Sequence, residues 1–562
     1  MKPKAFLKNI LKTFLQQVIL QSDGNKLTNT PMKDTARYEI LLIGYDEIEN
    51  IGLRCISAFL KIKGLNSKII SYNQSNKAAV LFAIEEANPE LVGFSLMSQQ
   101  MIPDFIELIE YLRQKDIKTH FTLGGHYPTL ESKKVLELIP GIDTVIRGEG
   151  ELTLFELYHK YKQPVSWKNI EGLCYRTEDG EIKINMPRKL IENLDELPFP
   201  DRGKISFVHR DFKIASLMCS RGCYYNCSYC SVNNFYNQSE GQTRRSRSPQ
   251  SIVKEMEYLY YGKGVKVFTF EDADFFVNTE EHREWALEFI EELKEKKLAG
   301  NIAWKMSCRI NDIEKDIFKK LMEVGLISVY LGIESGNNTN LQIYDKEYTV
   351  TQIYKAIDVL TRLNLPYEFG FMLLNPYTTF ETIKEDLDFL KNIGEYGACI
   401  LNFTKMIPYS GTPIHNRLIK EGRLTGSEFS PNYKFTDPRI DLLESFLHDA
   451  FHYRNFNKKG LVEMLRFAKF DALLVNRFYP GIDTIIYQER IKSLIKEANQ
   501  QLIETMSLAI HLMESRNFEA IIKYWPILQN LVFDERKEEQ LITYKLQELL
   551  DNQLKYKYLE VN

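Results

Sequence analysis

A chain of 562 residues exceeds what one hydrophobic core can hold and implies about three or four domains at roughly 150 residues each. Hydrophobic content of 44%, charged content of 26% and a formal net charge of -4 describe a soluble globular protein and exclude any global attraction to nucleic acid, so no nucleic-acid partner is expected. Eight cysteines, four of them in the stretch Cys219 to Cys230, do not make a disulfide framework and fit a reducing cytoplasm.

The N-terminal segment, residues 1–37, repeats apolar pairs at Phe6/Leu7, Ile10/Leu11, Phe14/Leu15 and Val18/Ile19 with lysines between them, the pattern of an amphipathic helix followed by a polar linker. Such a helix docks on the protein's own surface or makes peripheral membrane contact. Over residues 38–165 the runs YEILLIGY, SKIISYN, ELVGFSLM, THFTLGG and IDTVIRG alternate with helical patterns and predict an α/β, doubly wound, Rossmann-like parallel sheet. Ligands of such a sheet bind beyond the carboxyl ends of its strands, here the loops containing Ser95, Gly124, Gly125 and Gly148, whose glycines let backbone approach a ligand. Residues 166–204 read as a hairpin, IEGLCYRTEDGEIKIN, and a proline-held connector, ELPFPDR. A second series over 205–432, KIASLMC, VKVFTFED, IAWKMSC, ISVYLGIES, YEFGFMLLN and ACILNFTKMIP, predicts a partial (β/α)6 barrel with its functional groups at the carboxyl ends of the strands. Residues 433–562 are helical by periodicity; Phe446, Phe451, Tyr453, Phe456 and Tyr479 stand there as core or as the lining of a substrate path.

The stretch CSRGCYYNCSYC, after the first barrel strand, spaces Cys223, Cys227 and Cys230 as C-x3-C-x2-C. No second Cys or His pair completes a zinc site, and the ferredoxin spacing differs. One loop carrying this spacing can wrap three corners of a cubane and leave the fourth iron open. The motif resembles that of the radical S-adenosylmethionine (SAM) enzymes. The resemblance implies that Cys223, Cys227 and Cys230 bind a [4Fe-4S] cluster whose open iron takes SAM, with Tyr229 near the adenine and Cys219 merely packing. It further implies that Glu271, Asp272 and Asp274 of FEDADF contact the methionine moiety, that Arg309 of MSCRI meets its carboxylate, and that Glu334 and Ser335 of GIESGN meet the ribose. For the carboxylates, capping or solvation is the alternative.

The GGH and RGEGE loops, the hairpin and the LPFPDR connector ahead of the cysteines resemble the radical SAM proteins with an N-terminal cobalamin-binding domain. That resemblance implies cobalamin contacts from Ser95, Gly124, Gly125 and Gly148, and offers His126 as a hydrogen-bonding residue or, alternatively, a cobalt ligand. YDEIENIGL after the first strand lacks the cobalt-ligating histidine of the Asp-x-His-x-x-Gly motif. The implied activity is methyl transfer to an unactivated carbon or phosphorus of an organic substrate, with an electron donor such as flavodoxin or ferredoxin. The alternatives are cyclisation or rearrangement without methylation, and a non-catalytic sensor.

Overall fold

Four successive apolar residues in the strand Ile40–Gly44 (β1) reflect burial of both faces: Leu41 and Ile43 enter one core, Ile40 and Leu42 another. In the computed structural model, which describes residues 37–556 except 47, 48, 204 and 206, this strand lies second from one edge of a seven-stranded sheet. The expected amphipathic helix at the N-terminus lies outside the described residues. Parallel to β1 run Ser67–Ser71 (β2), Leu91–Ser95 (β3), His120–Gly124 (β4) and Thr144–Ile146 (β5), in the order β2-β1-β3-β4-β5. Winding reverses between β1 and β3, which opens a crevice at the strand ends. The expected hairpin forms from Leu173–Arg176 (β6) and Ile182–Ile184 (β7) and adds to this sheet, with β6 antiparallel to β5.

The second sheet contains Val208–His209 (β8), Phe212–Leu217 (β9), Val265–Phe270 (β12), Ala303–Cys308 (β13), Leu326–Glu334 (β14), Tyr367–Leu374 (β15) and Thr404–Lys405 (β16). Between β9 and β12, Ser220–Arg221 (β10) pairs antiparallel with Arg245–Ser246 (β11). The order β16-β15-β14-β13-β12-β9-β8 leaves two edges, so the sheet curls as a half-barrel without closing. Its outer face, including Leu217, Phe268, Trp304, Leu331 and Phe369, shares a core with helices such as Pro249–Glu257 and Glu280–Glu295.

ACILNFTKMIP departs from expectation, because only Thr404–Lys405 is strand. The C-terminal helices take over its backbone groups: Leu401 N–H donates to Asn499 Oδ1 (2.9 Å), Arg454 Nη1 donates to Leu401 O (3.0 Å), and Asn455 Nδ2 donates to Phe403 O (3.2 Å). Four helices follow, Pro438–Phe456, Leu461–Phe478, Ile482–Glu514 and Phe518–Tyr556. Phe446 and Phe451 are core, whereas Tyr453, Phe456 and Tyr479 are exposed. Among the described residues, no helix is long and apolar enough to cross a membrane.

Candidate active site

The chain turns from β10 into the cysteine loop at Gly222, with φ +81° and an imagined Cβ only 1.9 Å from Thr243 O, so glycine is required there. Ser228 pins the loop to the segment after β14: its N–H donates to Tyr344 O (3.0 Å) and its hydroxyl to Ile343 O (2.7 Å). Cys223, Cys227 and Cys230 are partly exposed free thiols, and Cys230 precedes the helix Ser231–Tyr236. Cys219 turns away into the core, where its Sγ donates to Asp272 Oδ1 (3.1 Å). Burial pushes the Cys223 thiol up to about 11 and raises Cys230, so binding iron there would release protons. Among the described residues no three His, Cys, Asp or Glu side chains converge on a single-ion site.

Around this loop the strand ends bring several predicted residues together. Arg309, buried beyond β13, has Nη1 3.3 Å from Cys227 Sγ and lies 3.4 Å over the Tyr225 ring. Its other Nη donates to Lys346 O. Lys346 was not singled out by its sequence. Buried to 3% exposure, its Nζ reaches Tyr229 Oη (3.2 Å) and Glu334 Oε1 (3.4 Å). Burial is the largest influence and opposes its charge, but Glu334, Tyr348 and Cys227 together outweigh it and keep Lys346 protonated. Glu334 (φ +67°) and the two neighbours of Lys346, Asp345 (+54°) and Glu347 (+56°), are left-handed non-glycine residues, strain of the kind stored at functional sites.

The FEDADF carboxylates differ in environment. Asp274 is fully buried, and neither of its oxygens meets a donor among the described residues. Burial first, then nearby Asp312, raises its carboxyl well above the usual range. Asp272 is occupied by Cys219 and Ser220, while exposed Glu271 accepts from Thr269 (2.9 Å) and Ser216 (3.2 Å). Ser335 is not turned toward the thiols: fully buried, it donates to Asp386 Oδ1 (2.6 Å). Three thiols in one loop, a guanidinium beside them and an orphaned buried carboxylate fit an iron–sulfur cluster with a bound cationic amino acid.

Ser95, Gly124, Gly125 and Gly148 are brought together at the carboxyl ends of the first sheet, where they line a cavity of about 120 Å³ with Gly93 and Thr122. Gly125 (φ +118°) makes the closest approach; a Cβ there would lie 2.1 Å from Leu96 O. A slot kept open by glycine at strand ends fits the nucleotide tail of a cobalamin. His126 is outside that lining and stacks on Phe235 at 4.4 Å, five residues beyond Cys230. Burial lowers its pKa.

Buried charges join the same two loops. Arg221 pairs with Glu149 (2.8 Å) and Glu151 (2.5 Å), and Arg245 also meets Glu149 (3.1 Å). Burial works to raise the Glu149 carboxyl, but Arg221 and Arg245 outweigh it and hold it below the usual range. Glu149, directly after Gly148, and Arg221, two residues before Cys223, thereby tie the two loops together.

Two family models match the chain: a B12 binding domain over residues 43–157 and the Radical SAM superfamily over residues 217–390. An uncharacterized methyltransferase of Pyrococcus horikoshii is 28% identical over 416 residues, covering 72% of this chain and 86% of that protein. An anaerobic magnesium-protoporphyrin IX monomethyl ester cyclase of Rubrivivax gelatinosus is 30% identical over 343 residues, covering 59% of this chain and 60% of that protein. The fold resembles the structure of the cobalamin-dependent S-adenosylmethionine radical enzyme OxsB with aqua-cobalamin and S-adenosylmethionine bound. The TM-score is 0.65 at 15% identity, covering 92% of this chain and 81% of that one.

Proposed function

Because the chain belongs to the radical SAM enzymes that carry an N-terminal cobalamin-binding domain, we propose that it transfers a methyl group to an unactivated carbon, or to phosphorus, of an organic substrate. When bound, the [4Fe-4S] cluster, SAM and cobalamin supply a hydrogen-abstracting adenosyl radical and a transferable methyl group. In this reading Cys223, Cys227 and Cys230 hold three irons, and Arg309 neutralises charge beside Cys227 while facing the SAM carboxylate. Asp274 and Glu271 receive the SAM ammonium, and Glu334, oriented by Lys346, receives the ribose next to Tyr229. The glycine-lined slot with Ser95 holds the cobalamin tail, and His126 positions Phe235 rather than ligating cobalt.

One observation supports joint use of the two cofactors most strongly: the slot's GGH loop stacks on the helix that leaves the cysteine loop, an arrangement that would bring groups held by the two sheets within reach of one another. The reconstituted protein, incubated anaerobically with SAM, substrate extract and a flavodoxin or ferredoxin reductant, is expected to form S-adenosylhomocysteine and 5'-deoxyadenosine together. 5'-Deoxyadenosine without S-adenosylhomocysteine would refute methyl transfer and favour cyclisation, the reading that the likeness to the cyclase supports.

A further inference from the structure

Barrels of parallel strands are ordinarily filled by branched apolar side chains. Here the inner face of the half-barrel is different. Residues directly paired across a parallel sheet point the same way. The register pairs Ser216 with Thr269, Thr269 with Lys305, Ser307 with Tyr330, and Tyr330 with Glu368. Those six side chains therefore share one face. The alternate residues, including Leu217, Phe268, Trp304 and Phe369, all enter the apolar core beneath the outer helices. The polar set consequently faces the barrel interior.

That interior has a floor. Phe212, Ile214, Val267 and Ala303 form a small apolar core with Phe470 and Leu474 of the helix Leu461–Phe478. The same helix is bound to the strand starts: Lys469 Nζ donates to Tyr367 O (2.8 Å), and Arg477 Nε donates to Ile302 O (3.1 Å). Above the floor Tyr330 is 41% exposed, and Lys305 and Glu271 are also exposed. Burial first, then the charge of nearby Glu334, pushes the Tyr330 hydroxyl up to about 12, so these walls partly enclose it despite its exposure.

Charges within this chamber are nearly balanced. Arg466 reaches up from the floor to Glu368 (3.3 Å), and Lys346 pairs with Glu334. Glu271 is the group assigned above to the SAM ammonium. Lys305 is left over: its ammonium lies 5.6 Å from the Phe470 ring and makes no ion pair with any described residue. A cation exposed within a chamber beside two hydroxyls, Ser307 and Tyr330, is a receptor for an anionic group.

Building on the reading of this chain as a radical SAM enzyme, we infer that its substrate is a hydrophilic anion, whose carboxylate or phosphate rests on Lys305 while Ser307 and Tyr330 bond its polar groups. A hydrocarbon-rich lipid is excluded, because it would strip water from Lys305, Ser307, Tyr330 and Glu368 without replacing their hydrogen bonds. The test splits an extract of the native host cells between water and chloroform, passes the aqueous part over an anion exchanger, and assays each fraction with the reconstituted holoenzyme and methyl-deuterated SAM. The anion-exchanger-retained aqueous fraction is expected to stimulate 5'-deoxyadenosine formation. Lys305→Met is expected to need about ten-fold more of that fraction for equal stimulation, with SAM affinity unchanged and Lys305→Arg close to wild type. Stimulation by the chloroform fraction, by the unretained aqueous fraction or by none overturns the inference, as does a Lys305→Met enzyme with wild-type dependence. Stimulation without deuterated-methyl transfer instead refutes methylation and leaves the substrate class standing.

Discussion

Replacing Arg221 by Met tests whether the buried ion pairs hold the two halves in register. The substitution keeps the apolar stem and removes the charge. Glu149 retains Arg245, but Glu151, 3% exposed, loses the only ion-pair partner it has among the described residues. Stranding a buried carboxylate costs about 3–5 kcal/mol. Protonation caps that cost: neutralising a carboxyl of ordinary pKa 4.3 at pH 7 takes about 1.36 × 2.7, or about 3.7 kcal/mol. At pH 5 the same cap falls to about 1 kcal/mol. Urea denaturation followed by circular dichroism should therefore show Arg221→Met destabilised by about 3–4 kcal/mol at pH 7 and by about 1 kcal/mol at pH 5. Adding Glu151→Gln should restore most of the loss at pH 7. A penalty below about 1 kcal/mol at pH 7, or one independent of pH, would refute the reasoning.

Cys219→Ser should retain the cluster absorbance and SAM cleavage, because its side chain bonds Asp272, whereas Cys223→Ala should abolish both. Gly125→Ala places a methyl group 2.1 Å from Leu96 O in a left-handed backbone, so reconstituted protein should lose cobalamin absorbance and keep the cluster spectrum. Asp386 is raised by burial to about 7, against the Ser335, Gly336 and Asn340 donors that favour its ionised form. A carboxyl raised on folding contributes stability that is complete below about pH 4 and is lost as pH rises through about 7. Asp386→Asn should flatten that decline in urea midpoints measured between pH 4 and 8; an unchanged slope would assign the decline to other groups.

The β-strands were legible because parallel strands buried on both faces read as unbroken apolar runs, as ILLIG in β1 does. The cysteine spacing was legible because one loop carries all three thiols. Lys346 was not, since it reaches Tyr229 across 117 residues and the left-handed residues beside it are Asp345 and Glu347, not glycines that would mark a turn. A lysine flanked by acids twelve residues after Glu334 carries no periodic signal. The Arg221 pairs were hidden for the same reason, with about seventy residues between partners. ACILNF failed as a strand because Asn499, Arg454 and Asn455 supply hydrogen bonds that pattern alone attributes to a neighbouring strand. The GIESGN motif located its loop, yet Ser335 serves Asp386 while the preceding Glu334 faces Lys346.

The central claim is that the glycine-lined slot and the cysteine loop present their cofactors to one cavity. Electron paramagnetic resonance of the reconstituted protein, with cob(II)alamin bound and the cluster reduced, tests it directly. The account predicts cob(II)alamin lines broadened or split by the neighbouring cluster spin, and relaxed toward separate spectra in Arg221→Met. Two unperturbed spectra in the wild-type protein would contradict it.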